Sequence, residues 1–361
     1  MSEQAGNPAT TPVRESAGTE PGGETGGGTG GEERRRPALS PSRAADFKQC
    51  PLLYRFRAVD RLPEAPSPAA LRGTLVHAVL ERLFDLPAAE RVQARAKGLV
   101  GAVWAEIAAE APEIVAAVLA DLRRAGEDPD LPGPEDPLPG WLASAESLLD
   151  TYFALEDPRS VEPQSRELLV ETELSSGVPL RGYLDRLDVD GEGGLRIVDY
   201  KTGAAPREAA EARALFQMKF YALALLELRG AVPEQLRLVY LGAGGEELTY
   251  RPEAGELRRF QRILEAIWAA IREADRTGDF RPRRGPGCGW CAHRGLCPAW
   301  DGSPPPYPGW PELRTAHEGA TAKPRPGGAV AGAAGVGSRA EAGAAGPAHG
   351  DAHGHGASSA A

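Results

Sequence analysis

Two aspartates and a lysine stand where a single hairpin would bring them together. Gly182 to Asp188 reads Gly-Tyr-Leu-Asp-Arg-Leu-Asp, and Leu195 to Gly203 reads Leu-Arg-Ile-Val-Asp-Tyr-Lys-Thr-Gly. Between them Asp190-Gly191-Glu192-Gly193-Gly194 supplies the positive φ angles of a turn. A turn centred on Glu192 places Asp185 directly across from Asp199, and Asp188 across from Arg196. Side chains alternate faces along a strand, so Tyr183, Asp185, Leu187, Ile197, Asp199 and Lys201 share one face. Carboxylates opposed across a strand pair repel unless a cation sits between them. Two carboxylates with open positions for water and phosphate suit Mg²⁺ or Mn²⁺, and a neighbouring lysine can position or help deprotonate an attacking water. That is the chemistry of phosphodiester hydrolysis. The hairpin by itself fits equally a surface ribbon whose Asp and Lys are merely solvated, because D-x-K is a short motif.

The cysteines form a second group. Cys288, Cys291 and Cys297 are spaced C-x2-C-x5-C in a Gly-rich stretch, and Cys50 is the only other cysteine of the chain. No apolar segment of signal-peptide type opens the sequence, so a reducing compartment is expected and disulfides are not. Four thiolates accept either Zn²⁺ or an iron-sulfur cluster. With four thiolates complete, His293 is expected to be a bystander.

Gly182 to Asp188 and Asp199 to Gly203 match, residue for residue, the G-x-x-D-R-x-D and D-Y-K-T-G elements of the RecB-like nucleases of the PD-(D/E)XK superfamily, and the chain resembles that family. The resemblance implies that Asp185 and Asp199 bind metal and that Lys201 is catalytic, with the backbone carbonyl of Tyr200 a further metal ligand. Gly73-Thr74-Leu75-Val76-His77 resembles the family's G-x-x-x-H helix, which implies a metal ligand at His77. An imidazole beside carboxylates favours Mn²⁺ more than an all-oxygen set does. Gln217 and Tyr221, one helical turn apart, match the Q-x-x-x-Y element and are implied to hold substrate beside the active site. Family members often carry a Glu near Glu171 and Glu173, although exposed strand residues are the plainer reading of both. Leu39-Ser40-Pro41-Ser42, with Cys50 before Pro51, resembles the opening of RecB-like domains. Joined to the cysteine triplet, it is similar to the 4Fe-4S staple of AddB-type and CRISPR-associated members, which implies a cluster rather than zinc on Cys50, Cys288, Cys291 and Cys297.

Several elements must position these residues. Ser40 with Pro41 and Ser67 with Pro68 read as helix starts, a capping hydroxyl followed by proline at the first position. The first helix should stop at Cys50. The second carries His77 and an apolar face from Leu71 to Phe84. Further helices are expected over 88–126 and 141–156, separated by a Pro- and Asp-rich loop, with Trp104 and Trp141 in the core. A strand over 167–174 precedes the hairpin. A long helix from Pro206 to about Leu228 carries Gln217 and Tyr221, strands follow at 236–241 and 247–250, and a last helix includes Leu257 to Ile271. The expected fold is α/β of mixed type: a restriction-endonuclease-like core with a central mixed sheet flanked by helices, plus a helical insertion. The interleaved aromatic and basic residues from Phe47 to Arg57 fit a nucleic-acid groove or simply core.

The chain has 361 residues and a net charge of -10, so contact with nucleic acid must come from local basic patches rather than bulk charge. No run approaches the ~18 apolar residues of a membrane span, and a soluble cytoplasmic protein is expected. Residues 1–37 and 301–361 are rich in Gly, Pro and Ala or Glu, and are expected to be disordered tails around a nuclease domain at 38–300. Arg34 to Arg36 and the terminal His349, His353 and His355 are read as solvated or incidental. No G-x-x-x-x-G-K-[ST] loop occurs, so any helicase motor would act in trans. The expected function is a Mg²⁺- or Mn²⁺-dependent DNA nuclease, an exonuclease on single strands or free ends. The alternatives are a catalytically silent DNA- or partner-binding module and a zinc-stapled regulatory protein.

Overall fold

The computed structural model describes residues 37–126, 136–205 and 208–310. The expected tails lie outside these residues except at their inner edges, as do Arg34 to Arg36, the helix start at Pro206, most of the Pro- and Asp-rich loop, and the three terminal histidines.

A five-stranded sheet forms the centre: β1 (Ser165–Glu173), β2 (Pro179–Val189), β3 (Leu195–Lys201), β4 (Gln235–Tyr240) and β5 (Glu246–Tyr250), in that spatial order. Strands β1, β2 and β3 run antiparallel as a meander, β3 pairs parallel with β4, and β5 returns antiparallel. The parallel pair needs a crossover, and α7 (Glu208–Arg229) provides it. The sheet is therefore mixed, as expected.

Helices cover both faces. On one side α1 (Pro41–Gln49), α2 (Pro51–Tyr54), α7 and α8 (Ala254–Thr277) enclose Ile197, Leu236, Leu238 and Tyr240. On the other, α3 (Pro68–Leu83), α4 (Gln93–Glu110), α5 (Pro112–Gly126) and α6 (Leu138–Leu155) pack on Val198, Tyr200, Val239 and Leu241. Each of β3 and β4 sends alternate residues to opposite layers, as the period of a strand requires. The helical segments between His77 and the sheet are thus a full layer of the fold. Ser40 and Ser67 each accept a backbone N–H three residues on, with proline following. The expected 88–126 region divides into α4 and α5 at Pro112, which has no N–H to continue the first helix.

The expected limit of the folded part at residue 300 is too early. Trp310 is 2% exposed and belongs to the core layer of α1, α7 and α8, where its ring meets Tyr54 and Trp268. The intervening chain is pinned as well. Arg55 donates to the Pro305 carbonyl at 2.5 Å and lies over the Tyr307 ring, and Tyr307 bonds Asp275. Composition concealed this, because a single tryptophan in a proline-rich stretch carries no periodicity. Trp310→Ala should cost about 3–5 kcal/mol, the usual range for removing a buried tryptophan. Urea unfolding of that variant checks it, and a loss below 1 kcal/mol would count against the packing described.

Candidate active site

The hairpin has the expected register. Asp188 pairs with Arg196 and Arg186 with Val198 across β2 and β3, and the next position of the same register sets Asp185 opposite Asp199. Strand β1 adds a third carboxylate. Arg166 pairs with Arg186 and Leu168 with Leu184, so Glu167 falls opposite Asp185. Glu167, Asp185 and Asp199 therefore form a row across three adjacent strands. Glu167 has φ 42°, a left-handed conformation that a non-glycine residue adopts at a cost of about 1–3 kcal/mol, and such strain gathers at functional sites.

His77 reaches this row from α3. Its Nε2 lies 3.0 Å from the Tyr200 carbonyl and its Nδ1 3.5 Å from Asp185 Oδ2. A carbonyl only accepts, so Nε2 carries a proton, and Nδ1 faces the carboxylates. This is the usual way a ligating histidine is oriented by a partner behind it. One ligand atom from each of His77, Glu167 and Asp185 lies within 4.8 Å of the others, a set able to hold a metal ion. Imidazole and carboxylate donors suit Mg²⁺ or Mn²⁺. The Tyr200 N–H donates to Asp185 Oδ2 at 2.8 Å and fixes that carboxylate.

Asp199 is engaged otherwise. Lys201 Nζ lies 2.6 Å from its Oδ2, Gln217 Nε2 donates to its Oδ1 at 2.9 Å, and Lys201 donates to Gln217 Oε1 at 3.0 Å. Gln217 so locks Asp199 and Lys201 into one triangle. Tyr221, one turn further along α7, is buried, and Gly182 makes its room: a Cβ there would sit 2.7 Å from Tyr221 Cε1. The glycine of the G-x-x-D-R-x-D element is thereby explained by close packing, its φ being ordinary.

The electrostatics reflect carboxylates gathered in one row. Burial, then the charges of Asp185, Glu81 and Asp199, pushes the Glu167 carboxyl up to about 7. Burial, then Asp199, pushes Asp185 up to about 6, against the pull of His77, the Tyr200 N–H and Lys201. Carboxyls displaced this way mark sites that await a cation or a proton.

Behind the row lies a support centred on Arg186 and Asp188 of the G-x-x-D-R-x-D element, whose other partners no motif revealed. Arg186 is 1% exposed and donates to Glu156 at 2.6 and 2.9 Å, to the Tyr200 hydroxyl at 2.6 Å and to Asp188 at 3.0 Å. Burial alone would raise the Glu156 carboxyl, but hydrogen bonds and charge from Arg186 and Arg237 hold it down at about 2. The network anchors the Tyr200 ring, whose own N–H and carbonyl serve Asp185 and His77. Glu171 and Glu173 are exposed, and Glu171 pairs with Arg181; neither joins the row.

The four cysteines line one cavity of about 570 Å³ and carry free thiols. Burial pushes the Cys291 thiol up, and Cys50, Cys288 and Cys297 push it the same way. Cys50 Sγ accepts the Arg283 N–H at 3.4 Å and Cys288 Sγ the Gly285 N–H at 3.3 Å. His293 is buried in the same loop and holds Glu64 at 2.9 Å, which in turn holds Arg57, so it fastens the loop to the body.

No curated protein matches the chain. Among solved structures it is similar to a candidate exonuclease from Eubacterium rectale, at 12% identity and TM-score 0.45 over 71% of this chain and 87% of that one. It is also similar to SSO0001, at 18% identity and TM-score 0.30 over 45% and 71% of the two chains. The family profile that matches spans residues 38–298, from the strand-paired segment before α1 to the last cysteine. By that match the chain belongs to the PD-(D/E)XK nuclease superfamily, whose nucleases are metal-dependent phosphodiesterases.

Proposed function

We propose that this protein is a divalent-metal-dependent deoxyribonuclease that acts on single strands or free DNA ends in repair, recombination or DNA processing. The observation that carries the reading is the carboxylate row with His77 at one end and the Asp199–Lys201–Gln217 triangle at the other. In this reading His77, Glu167 and Asp185 hold Mg²⁺ or Mn²⁺, with Asp199 and the Tyr200 carbonyl beside them. Bound there, the ion supplies electrophilic activation of the phosphodiester and of water. Lys201 holds a proton at Nζ and positions water, Asp199 and Gln217 fix the direction of that amine, and Tyr221 backs the substrate side. A silent binding module would have no use for an amine aligned by two partners.

Linear end-labelled single strands should be degraded with Mg²⁺ or Mn²⁺ while circular strands resist. Absence of hydrolysis of every strand with both metals would sink the proposal, and rapid cutting of circles would make the enzyme an endonuclease. Metal affinity should depend on pH in a stated direction. Glu167 and Asp185 must shed protons held up to about 7 and about 6, so Mn²⁺ affinity should rise from pH 5 to 7.5 with proton release on binding. Calorimetry in buffers of different ionisation heat counts those protons, and a pH-independent affinity with none released would remove the pair from the site.

We further propose a 4Fe-4S cluster on Cys50, Cys288, Cys291 and Cys297. The four cysteines, far apart in sequence, line one cavity as free thiols, and the resemblance of their spacing to a 4Fe-4S staple favours the cluster over zinc.

A further inference from the structure

We infer that the cysteine-bearing loop, residues 281–300, is a binding surface for single-stranded DNA, with Trp290 as a platform for a stacked base and Arg283, Arg284 and Arg294 as phosphate contacts. The inference rests on the nuclease reading and carries it to a surface outside the carboxylate row. Trp290, between Cys288 and Cys291, is 89% exposed, far beyond the next large apolar side chain, Tyr183 at 52%. Folding gains nothing from a tryptophan left in water, whereas every base offers a face that stacks on one. Trp300, 38% exposed, stands in the same loop, with Arg284 and Arg294 against its ring at 4.8 and 3.9 Å.

Charge selects the partner. In a chain of net charge -10, residues 281–300 hold four arginines and no carboxylate. Arg281 is taken by Asp279. Arg283 donates to the Lys48 carbonyl and Arg284 to the Ala299 carbonyl, so among the described residues neither charge meets a carboxylate, and Arg294 has only its ring. Of the acids around the loop, Asp279 pairs with Arg281, and Glu64 and Asp46 share Arg57, while Asp301 follows Trp300 just outside it. Exposed arginines interleaved with aromatics fit a polyanion with accessible bases, the description of a single strand. Duplex DNA buries its base faces in the stack.

The surface also lies on the path to the site. Arg213, in the first half of α7, lines the cysteine cavity and bonds Gln49 of α1. Gln217, four residues on, touches Lys201 and Asp199. Four residues of helix rise about 6 Å, roughly the length of one nucleotide step, so a strand gripped at Trp290 runs along α7 toward the row.

The test is an anisotropy titration of full-length protein, carrying its bound metal group, with a long labelled oligothymidine in Ca²⁺. Trp290→Ala should weaken binding roughly 5- to 150-fold, the worth of one base–aromatic stack, and Trp290→Phe should recover most of it. The double variant Arg283→Gln, Arg284→Gln should lower the slope of log affinity against log salt by about 1.4. In cleavage, Trp290→Ala should raise KM for the long strand and leave kcat. Metal content is measured beside each titration; if Trp290→Ala proves depleted, the salt slope of the arginine variant decides. Unchanged affinity in metal-replete Trp290→Ala, or an unchanged slope in the double variant, overturns the surface while leaving a wild type that still cleaves DNA. A wild type that neither binds nor cleaves any strand overturns both readings together.

Discussion

Lys201→Ala, Asp199→Asn and Asp185→Asn should each lower kcat by about 10³-fold or more, since each removes charge or a ligand aimed at the reacting phosphate. Their stabilities should separate. Within the carboxylate row, the folded-state affinity for a proton is raised at Asp185, from 3.8 to about 6, and at Glu167, from 4.5 to about 7. A raised carboxyl stabilises the fold fully only below its unfolded value and loses that contribution as pH rises through the folded one. Metal-free wild type should therefore lose stability between pH 4 and 7, and Asp185→Asn, which keeps an acceptor for the Tyr200 N–H, should lose less. At pH 7.5 that variant should melt higher than wild type without metal and gain nothing from Mn²⁺. Lys201→Ala should do the reverse, because it strips the cation from Asp199, a side chain 3% exposed. Leaving a buried carboxylate unpaired costs about 3–5 kcal/mol. Calorimetric melts with and without Mn²⁺ read both effects. Wild-type turnover in two of the three variants would show that the chemistry lies elsewhere.

The pairing of Asp185 with Asp199 followed from one assumption, a turn centred on Glu192, because strand register is symmetric about its turn. Applied to Ser175-Ser176-Gly177, the same arithmetic would have set Glu167 opposite Asp185. Glu167 stays hidden in the sequence because the resemblance points instead to Glu171 and Glu173, and because its positive φ has no sequence signal. Asp199 as the partner of Lys201 and Gln217 was beyond reach for another reason: it needs the angle at which α7 crosses the sheet. The Arg186–Glu156–Arg237 network joins β2, β4 and the residue after α6, so its members are neighbours only in space. Trp310 hid in composition. The cysteines were legible, since thiolates at short spacing have few other uses, but the exposure of Trp290 among them was not.

Replacing Cys50 by serine should produce the other large effect, on folding rather than on chemistry. Cys50 ends α1 and precedes Pro51 of α2, and the helical turn Arg55–Val59 that follows carries Arg55, the residue that holds Pro305 and Tyr307. Near the C-terminal end of the family-matched span, Cys288, Cys291 and Cys297 sit in or beside short turns that bury none of their own residues. The proposed metal group, shared by the four cysteines, would join these two ends across nearly the whole domain. A crosslink over ~100 residues restricts the unfolded chain by about 4.7 kcal/mol, and each doubling of the loop adds about 0.6 kcal/mol, so the staple is worth roughly 5 kcal/mol. That is comparable with the whole net stability of many domains. Cys50→Ser, and likewise a change at Cys288, Cys291 or Cys297, should yield poorly soluble, protease-sensitive protein whose activity falls with its folded fraction. Wild type purified without oxygen should be brown, with about four irons per chain. Colourless wild type with one zinc per chain would keep the staple and discard the cluster, while a stable, fully active Cys50→Ser protein would break the link between the two ends.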